Sequence, residues 1–415
     1  MLNRIKNFFV NFFTKIFGVK RYDFKSYSLS ILAIVYIIGF VGVYLISVLQ
    51  DENENLYQKQ IYALAAGFVV ILFLSLVDYH FIAKYFILLY FISLGLLLIC
   101  RFSNSYPIYG WAHYDARRWI KIGGDPTLGA KNSGKGFEFM PSEITKIVMI
   151  IFIAKYFEIL YKKINKIWVM FLSILLMAIP TFLIMIQTDL STSLVLMAMF
   201  AVMLFASEVP LKFILPFIII GVPAGGALFW YVVQPDQVLL KPYQQRRILA
   251  ALHPEMYPEL TYQQDNAASA IRSGGMIGKM LSGDTGVRGT TYVPVKESDF
   301  IFTAVAEEFG FIGSIIIIGL YFLLILLIIR IARRAKDYLG MMIATGTGAL
   351  ISFQVFINIG VVSSILPNTG IALPFMSSGL SALLMNLVLI GILLNVSLQP
   401  KTEVPVEKDK FELDL

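Results

Sequence analysis

The chain of 415 residues is 58% hydrophobic and only 15% charged, with a mean hydropathy of +0.75 and a formal net charge of +7. Soluble domains carry roughly 25% charged residues, so a soluble fold, a coiled coil and a collagen-like chain are excluded; repeated apolar runs of about 20 residues define a polytopic membrane protein instead. The one cysteine, Cys100, excludes an internal disulfide, and the three histidines (His80, His113, His253) lie too far apart in sequence to read as a metal site or a Ser/His/Asp triad.

Residues 1–26 are read as a basic amphipathic segment lying on the membrane surface. Ile5, Phe8, Phe9, Phe12, Phe13, Ile16 and Phe17 recur at helical spacing, while Arg4, Lys6, Lys15, Lys20 and Arg21 face water or snorkel. Ten membrane spans are then predicted, at roughly 27–49, 59–77, 81–100, 142–160, 167–186, 190–206, 211–233, 301–329, 340–366 and 374–397. Basic residues in the N-terminal segment, in the link after span four (Lys155, Lys162, Lys163, Lys166) and in the link after span eight (Arg330, Arg333, Arg334, Lys336) all fall on one side. That side is expected to be the cytoplasm, with both termini there. The predicted fold class is an all-α polytopic membrane protein of about ten transmembrane helices over 27–397, followed by a charged tail at 398–415 that is expected to be disordered.

Two long segments, about 101–141 and 234–300, lie on the other side, the second between helices seven and eight. Neither is a basic block, so nucleic acid is not an expected partner. Both are rich in Gly, Pro and aromatic residues, and loops of this length are usually functional. Residues Trp111–Lys121 place Arg117, Arg118 and Lys121 among two tryptophans at headgroup depth. Arginine forks suit phosphate or pyrophosphate oxygens, while simple attraction to anionic lipid is the competing account. Span four opens on Pro141-Ser142-Glu143-Ile144-Thr145-Lys146, where Glu143 and Lys146 share a face and can pair, either as a site or as a structural ion pair.

Asp189, between spans five and six with almost no loop around it, is read first as a helix cap for span six. In the second long segment, Arg246 lies in a YQQRR run. The glycine-rich stretch Arg272–Lys279 resembles an anion-binding turn only loosely, and packing explains it as well. Asp299 stands at the mouth of the next span, where partial desolvation suits a carboxylate to act as a base, with a helix cap as the plainer account. Glu307 and Glu308 lie deeper in that span, so at least one of them must face the protein interior or water.

The ordered series ARRWIKIG (116–123), PSEITK (141–146), QTDLSTSLV (187–195), YQQRR (243–247), IRSGGMIGK (271–279), ESDFIFTAVAEEFGFIG (297–313), NIG (358–360) and LPNTGIALPFMSSG (366–379) resembles the SEDS family, the RodA/FtsW/SpoVE proteins that polymerise peptidoglycan. The resemblance covers about residues 27–397. Asp115 stands where the family usually has Gly, Met140 where it has Gln, Thr188 where it has Pro and Ser298 where it has Thr, and the last motif lacks a second Gly. The charged positions are kept.

What the resemblance implies is a multi-pass glycosyltransferase of the bacterial cytoplasmic membrane that uses lipid II, an undecaprenyl-pyrophosphate disaccharide-pentapeptide, at the outer face, for elongation, division or sporulation. By the motif, Asp299 is the essential carboxylate, and Arg118, Glu143, Lys146 and Asp189 fall on functional positions. Arg117, Lys121 and Arg246 are further cations suited to the pyrophosphate. The implied partners are lipid II, membrane lipids and a class B penicillin-binding protein transpeptidase. A divalent cation, magnesium or manganese, is left open as cofactor, and no acidic pair marks its ligands. Two other readings of the same residues are a lipid II flippase and a noncatalytic scaffold of the cell-wall synthesis complex.

Overall fold

The computed structural model describes residues 26–49, 55–103, 107–113, 116–123, 136–239, 242–283, 286 and 288–400. The amphipathic N-terminal segment and the charged tail expected from the sequence lie outside them, apart from Ser26 and residues 398–400.

The chain begins with α1 (Leu29–Leu49), α2 (Leu56–Leu76), the short α3 (Tyr79–Lys84) and α4 (Phe86–Phe102). After a three-stranded antiparallel sheet of β1 (Ile108–His113), β2 (Ala116–Ile122) and β3 (Phe137–Phe139), it continues with α5 (Pro141–Ile159), α6 (Ile167–Ile186), α7 (Leu190–Ala206) and α8 (Leu211–Val233). The second long segment folds as α9 (Pro242–Leu252), α10 (Pro258–Ser273) and α11 (Gly278–Ser282). The last three helices are α12 (Ile301–Arg334), α13 (Tyr338–Val362) and α14 (Leu380–Ser397). Each of the ten predicted spans coincides with a helix. Helices α1, α2, α6, α8, α12, α13 and α14 are long and apolar enough to cross a membrane alone, and α4 and α7 are shorter apolar helices. The protein is a helical multi-pass membrane protein.

Three features depart from the expected pattern. The first long segment contains the sheet rather than loop alone, since Trp111, Trp119, Ile120 and Ile122 supply aromatic and β-branched side chains that pair across β1 and β2. Helix α13 stops at Val362, short of the predicted 366, and α14 starts at Leu380, later than the predicted 374. The non-helical stretch between them lies among helices rather than in lipid. Tyr321 Oη donates to Pro374 O at 2.6 Å, Gln60 Nε2 to Ser377 O at 3.1 Å, and Gln264 Nε2 to Leu366 O at 2.9 Å. Irregular backbone at membrane depth is tolerated only when protein satisfies its polar groups, and here it does.

Helix α5 is buried along almost its whole length, as an element apolar on all sides should be, and forms the centre of the bundle. Helix α14 packs along α2, where Gly67 faces Leu387. Alternating helix directions place both long segments, the N-termini of α5, α7 and α12 and the 366–379 stretch at one face, here the site face. The basic links 160–166 and 335–337 lie at the opposite, basic face.

Helix α12 breaks at Gly310, whose φ of +67° and ψ of −164° leave two following amides without their helical acceptors. The glycine-rich stretch supplies replacements: Phe311 N donates to Gly275 O at 2.9 Å and Ile312 N to Met276 O at 3.1 Å. A Cβ on Gly278 would lie 2.1 Å from Glu308 O, and one on Gly310 would lie 2.4 Å from Gly278 N, so the two backbones meet only because both residues lack a side chain. The stretch is thus a packing device that seats the second long segment on α12.

A clasp closes the basic face. His80 Nδ1 lies 2.7 Å from Asp78 Oδ1 and its Nε2 lies 2.7 Å from Asp337 Oδ2, joining the α2–α3 turn to the α12–α13 link. Tyr79 Oη also donates to Asp337 Oδ2, at 2.9 Å, and Gln399 Nε2 to Asp78 Oδ1, at 3.2 Å. Burial opposes charge on the ring, but hydrogen bonds to Asp337 and Asp78 outweigh it and push its pKa up from 6.5 to about 9. Because the folded value is the higher one, the clasp stabilises fully below pH 6.5, weakens as pH rises and is lost above about 9. Thermal unfolding of the wild type is expected to lose roughly 2 kcal/mol across that window, allowing for the ring's 30% exposure, and His80→Gln to lose much less. Parallel pH profiles of the two proteins would refute the assignment.

Candidate functional site

Asp299 immediately precedes α12 at the site face and is half-buried. Ser298 Oγ donates to its Oδ1 at 2.9 Å. Its backbone oxygen accepts from Asn358 Nδ2 at 2.8 Å, and the same nitrogen donates to Ile371 O at 2.7 Å. Asn358 thereby ties the end of α13, the start of α12 and the 366–379 stretch to one another. Two further bonds lock the register: Ser377 Oγ to Ser298 O at 2.6 Å, and Ser378 N to Glu297 O at 2.8 Å. Gly370, at φ +71°, passes so close that a Cβ there would lie 3.0 Å from Asp299 Oδ2. The carboxylate is therefore held against bare backbone on one side.

The 366–379 stretch also links Asp299 to Asp189. Ser191 Oγ, in the first turn of α7, donates to Thr369 O, next to Gly370. Asp189 is buried and caps α7, accepting from Thr192 N at 3.2 Å and from Thr192 Oγ1 at 2.9 Å. Arg118 on β2 reaches the same turn: its Nη1 lies 3.9 Å from Asp189 Oδ1 and its Nη2 donates to Thr188 O. Thr188 itself sits at φ +64°, which a proline ring could not adopt. Glu143 and Lys146, both buried at the start of α5, pair at 2.8 Å. So Asp299, Asp189 and Arg118 are joined by a short chain of contacts, and the Glu143–Lys146 pair opens the central helix at the same face.

Two hairpin cations point elsewhere. Arg117 donates from Nε to Gly110 O at 3.1 Å and from Nη2 to Ser103 O, pinning the hairpin to the end of α4. Lys121 lies 3.1 Å from Glu138 on β3 and 4.5 Å from the centre of the Trp111 ring. Arg118, by contrast, keeps a buried Nε with no hydrogen-bond partner. Arg246 is exposed on α9, away from these contacts. Both glutamates of α12 are buried: Glu307 pairs with Lys279 at 2.7 Å and Glu308 with Arg288 at 2.7 Å.

Other buried atoms at this face lack a partner as Arg118 Nε does: Ser142 Oγ, Glu143 Oε2, Thr303 Oγ1, Asn358 Oδ1 and Thr369 Oγ1. Buried polar groups are nearly always paired, so a concentration of unpaired ones around ionisable side chains marks a surface shaped for a polar ligand. Among the described residues no three His, Cys, Asp or Glu side chains converge on a point. The donors present do not form a metal cage of their own. Sequence reasoning gives Asn358 and Lys279 no partners; the signals for these contacts are the amide in NIG, the lysine ending IRSGGMIGK and the cost of placing Glu307 deep in its span.

A helical multi-pass membrane protein with buried carboxylates and an arginine gathered at one face is the class that fold and site define. The family profile described as Cell cycle protein, covering FtsW, RodA and SpoVE, matches residues 25–402, and the chain belongs to that family. A probable peptidoglycan glycosyltransferase FtsW of Trichlorobacter lovleyi is 32% identical over 389 residues, which span 91% of this chain and 95% of the relative. Stage V sporulation protein E of Bacillus subtilis is 32% identical over 370 residues, 87% of this chain and 93% of the relative. Among solved structures, a chain from a study of how a peptidoglycan synthase complex coordinates polymerization and crosslinking superposes with a TM-score of 0.72 at 27% identity, over 89% of this chain and 97% of that one. The Thermus thermophilus rod shape determining protein RodA shares the fold, with a TM-score of 0.60 at 22% identity over 89% of this chain and 96% of that one.

Proposed function

We propose that the protein is a peptidoglycan glycosyltransferase that polymerises lipid II at the outer face of the cytoplasmic membrane, with Asp299 as the base. The observation that carries this reading is the gathering of Asp299, Asp189, Arg118 and the Glu143–Lys146 pair around unpaired buried polar atoms at the face opposite the basic links. The names of the FtsW relatives support it, and the synthase complex supports a transpeptidase partner of the penicillin-binding class.

In the proposed reaction the acceptor sugar's 4-hydroxyl attacks the anomeric carbon of the donor. Asp299 takes the hydroxyl proton, the new C–O bond forms, and the bond from the anomeric carbon to the pyrophosphate oxygen breaks with its electron pair leaving on the lipid pyrophosphate. Arg118 meets the charge that develops there, with Lys146 as the second cation and Glu143 holding it in place. Asp189 orients Arg118. Arg117 and Lys121 act through the hairpin that presents Arg118, and Arg246 plays no part in the step. A magnesium ion is commonly held by one or two carboxylates plus substrate phosphates, so a divalent ion would come with the pyrophosphate rather than to a ready site.

Purified protein in detergent or vesicles, supplied with lipid II with and without a partner transpeptidase and magnesium or manganese, is expected to release glycan strands. Translocation of lipid II without polymer under all these conditions would replace the reading with a flippase, and neither polymer nor translocation would leave a scaffold.

A further inference from the structure

A further cavity lies at the other face. A groove of about 730 Å³ runs between α12, α13 and α7. Its apolar walls include Ile325, Ile328 and Ile329 on α12 and Ala344, Gly348 and Phe353 on α13. Ile329 is 47% exposed, so the groove opens to the lipid-facing surface. From Met341 to Phe353 it follows α13 for roughly 18 Å at 1.5 Å per residue, about the apolar depth of one leaflet. Its end at the basic face is lined by Arg333 and Lys336. Arg330 and Arg334 flank them, and all four are exposed with no ion pair among the described residues.

The carboxylates on the same wall are already engaged. Glu208 accepts from Tyr161 Oη at 2.8 Å, and Asp337 holds His80, Tyr79 Oη and Gly340 N. An apolar channel of leaflet length that ends in unpaired cations at headgroup depth matches one molecule in charge and shape. We propose that the groove binds an anionic glycerophospholipid of the leaflet at the basic face, with an acyl chain between α12 and α13 and its phosphate on Arg333 and Lys336. The site is separate from Asp299 and does not rest on the proposed reaction.

Native mass spectrometry of the full-length protein titrated with dioleoylphosphatidylglycerol or dioleoylphosphatidylcholine tests the proposal. The wild type is expected to retain one phosphatidylglycerol at least tenfold more tightly than phosphatidylcholine. The double variant Arg333→Gln/Lys336→Gln removes two cations and is expected to lose roughly 30-fold in affinity for the anionic lipid. Thr345→Trp fills the groove and leaves the charges, and is expected to lose the bound lipid with an unchanged thermal midpoint, which keeps the test valid if the double variant folds poorly. Equal affinity for the two lipids in the wild type, unchanged lipid retention in both variants, or a dimer that Thr345→Trp dissociates would each overturn it.

Discussion

Asp299→Asn is expected to lower glycan-strand synthesis by about 10²–10⁴, the usual contribution of a positioned general base, while membrane insertion and thermal midpoint stay at wild-type values. The substitution keeps the side chain's shape and one oxygen that can accept from Ser298 Oγ, now at 2.9 Å from Oδ1. It leaves the backbone bond from Asn358 Nδ2 untouched. Only the ability to take a proton is removed, so loss of activity in a folded protein isolates that role. The alternative account, a helix cap for α12, makes the opposite forecast: a cap lost at an exposed helix end costs about 1 kcal/mol of stability with activity retained. Wild-type polymerisation by Asp299→Asn would end the proposed mechanism. Loss of lipid II binding in parallel would assign Asp299 to substrate positioning instead.

Lys279→Met is expected to destabilise the protein by about 3–5 kcal/mol, the penalty for leaving one half of a buried ion pair behind. Glu307 has no exposed surface and accepts from Lys279 Nζ at 2.7 Å, Ser273 Oγ at 3.1 Å, Gly289 N at 2.6 Å, Thr290 N at 2.8 Å and Thr290 Oγ1. Without the lysine, the carboxylate keeps neutral donors but loses the one cation that pairs with it among the described residues. Of the segments carrying those donors, the end of α10 and the start of α11 are joined by the stretch seated on the Gly310 kink, and residues 289–290 are held on the Glu307 carboxylate itself. Their release would loosen the start of α12 and with it Asp299. Thermal unfolding should show a lowered midpoint and polymerisation should fall. Adding Glu307→Gln to Lys279→Met should restore part of both, since the unpaired charge is then gone. A single variant that melts with the wild type, or a double variant worse than the single by the full effect of Glu307→Gln alone, would show that the pair is not coupled.

Much of the architecture was legible in the chain. Ten apolar runs became ten helices because a bilayer core forces each spanning segment to satisfy its own backbone, and that requirement is written locally, residue by residue. The excess of Lys and Arg in short links placed both long segments together on one face for the same local reason. The motifs therefore located Asp299, Asp189, Arg118 and the Glu143–Lys146 pair at one end of the bundle. The pairing of Glu143 with Lys146 was readable too, because residues three apart on a helix must be neighbours. The reading of Asp189 as a cap holds in the structure, and the cap also faces Arg118.

What the chain alone determined was the solvent of each segment and the short list of charges set against it. Which of those charges is committed and which remains available was decided only in three dimensions. Arg117, Arg118 and Lys121 stand within five positions on one strand, yet Arg117 bonds the end of α4, Lys121 bonds Glu138 across the sheet and Arg118 alone turns to Asp189. The clasp of His80 with Asp337 joins residues 257 apart, and Lys279 meets Glu307 over a separation of 28. Contacts of that kind leave no period or spacing in the sequence, because they depend on how whole helices pack. Gly278 and Gly310 illustrate the limit: each reads as an ordinary glycine until the backbones are brought together, and then neither position has room for a single additional carbon.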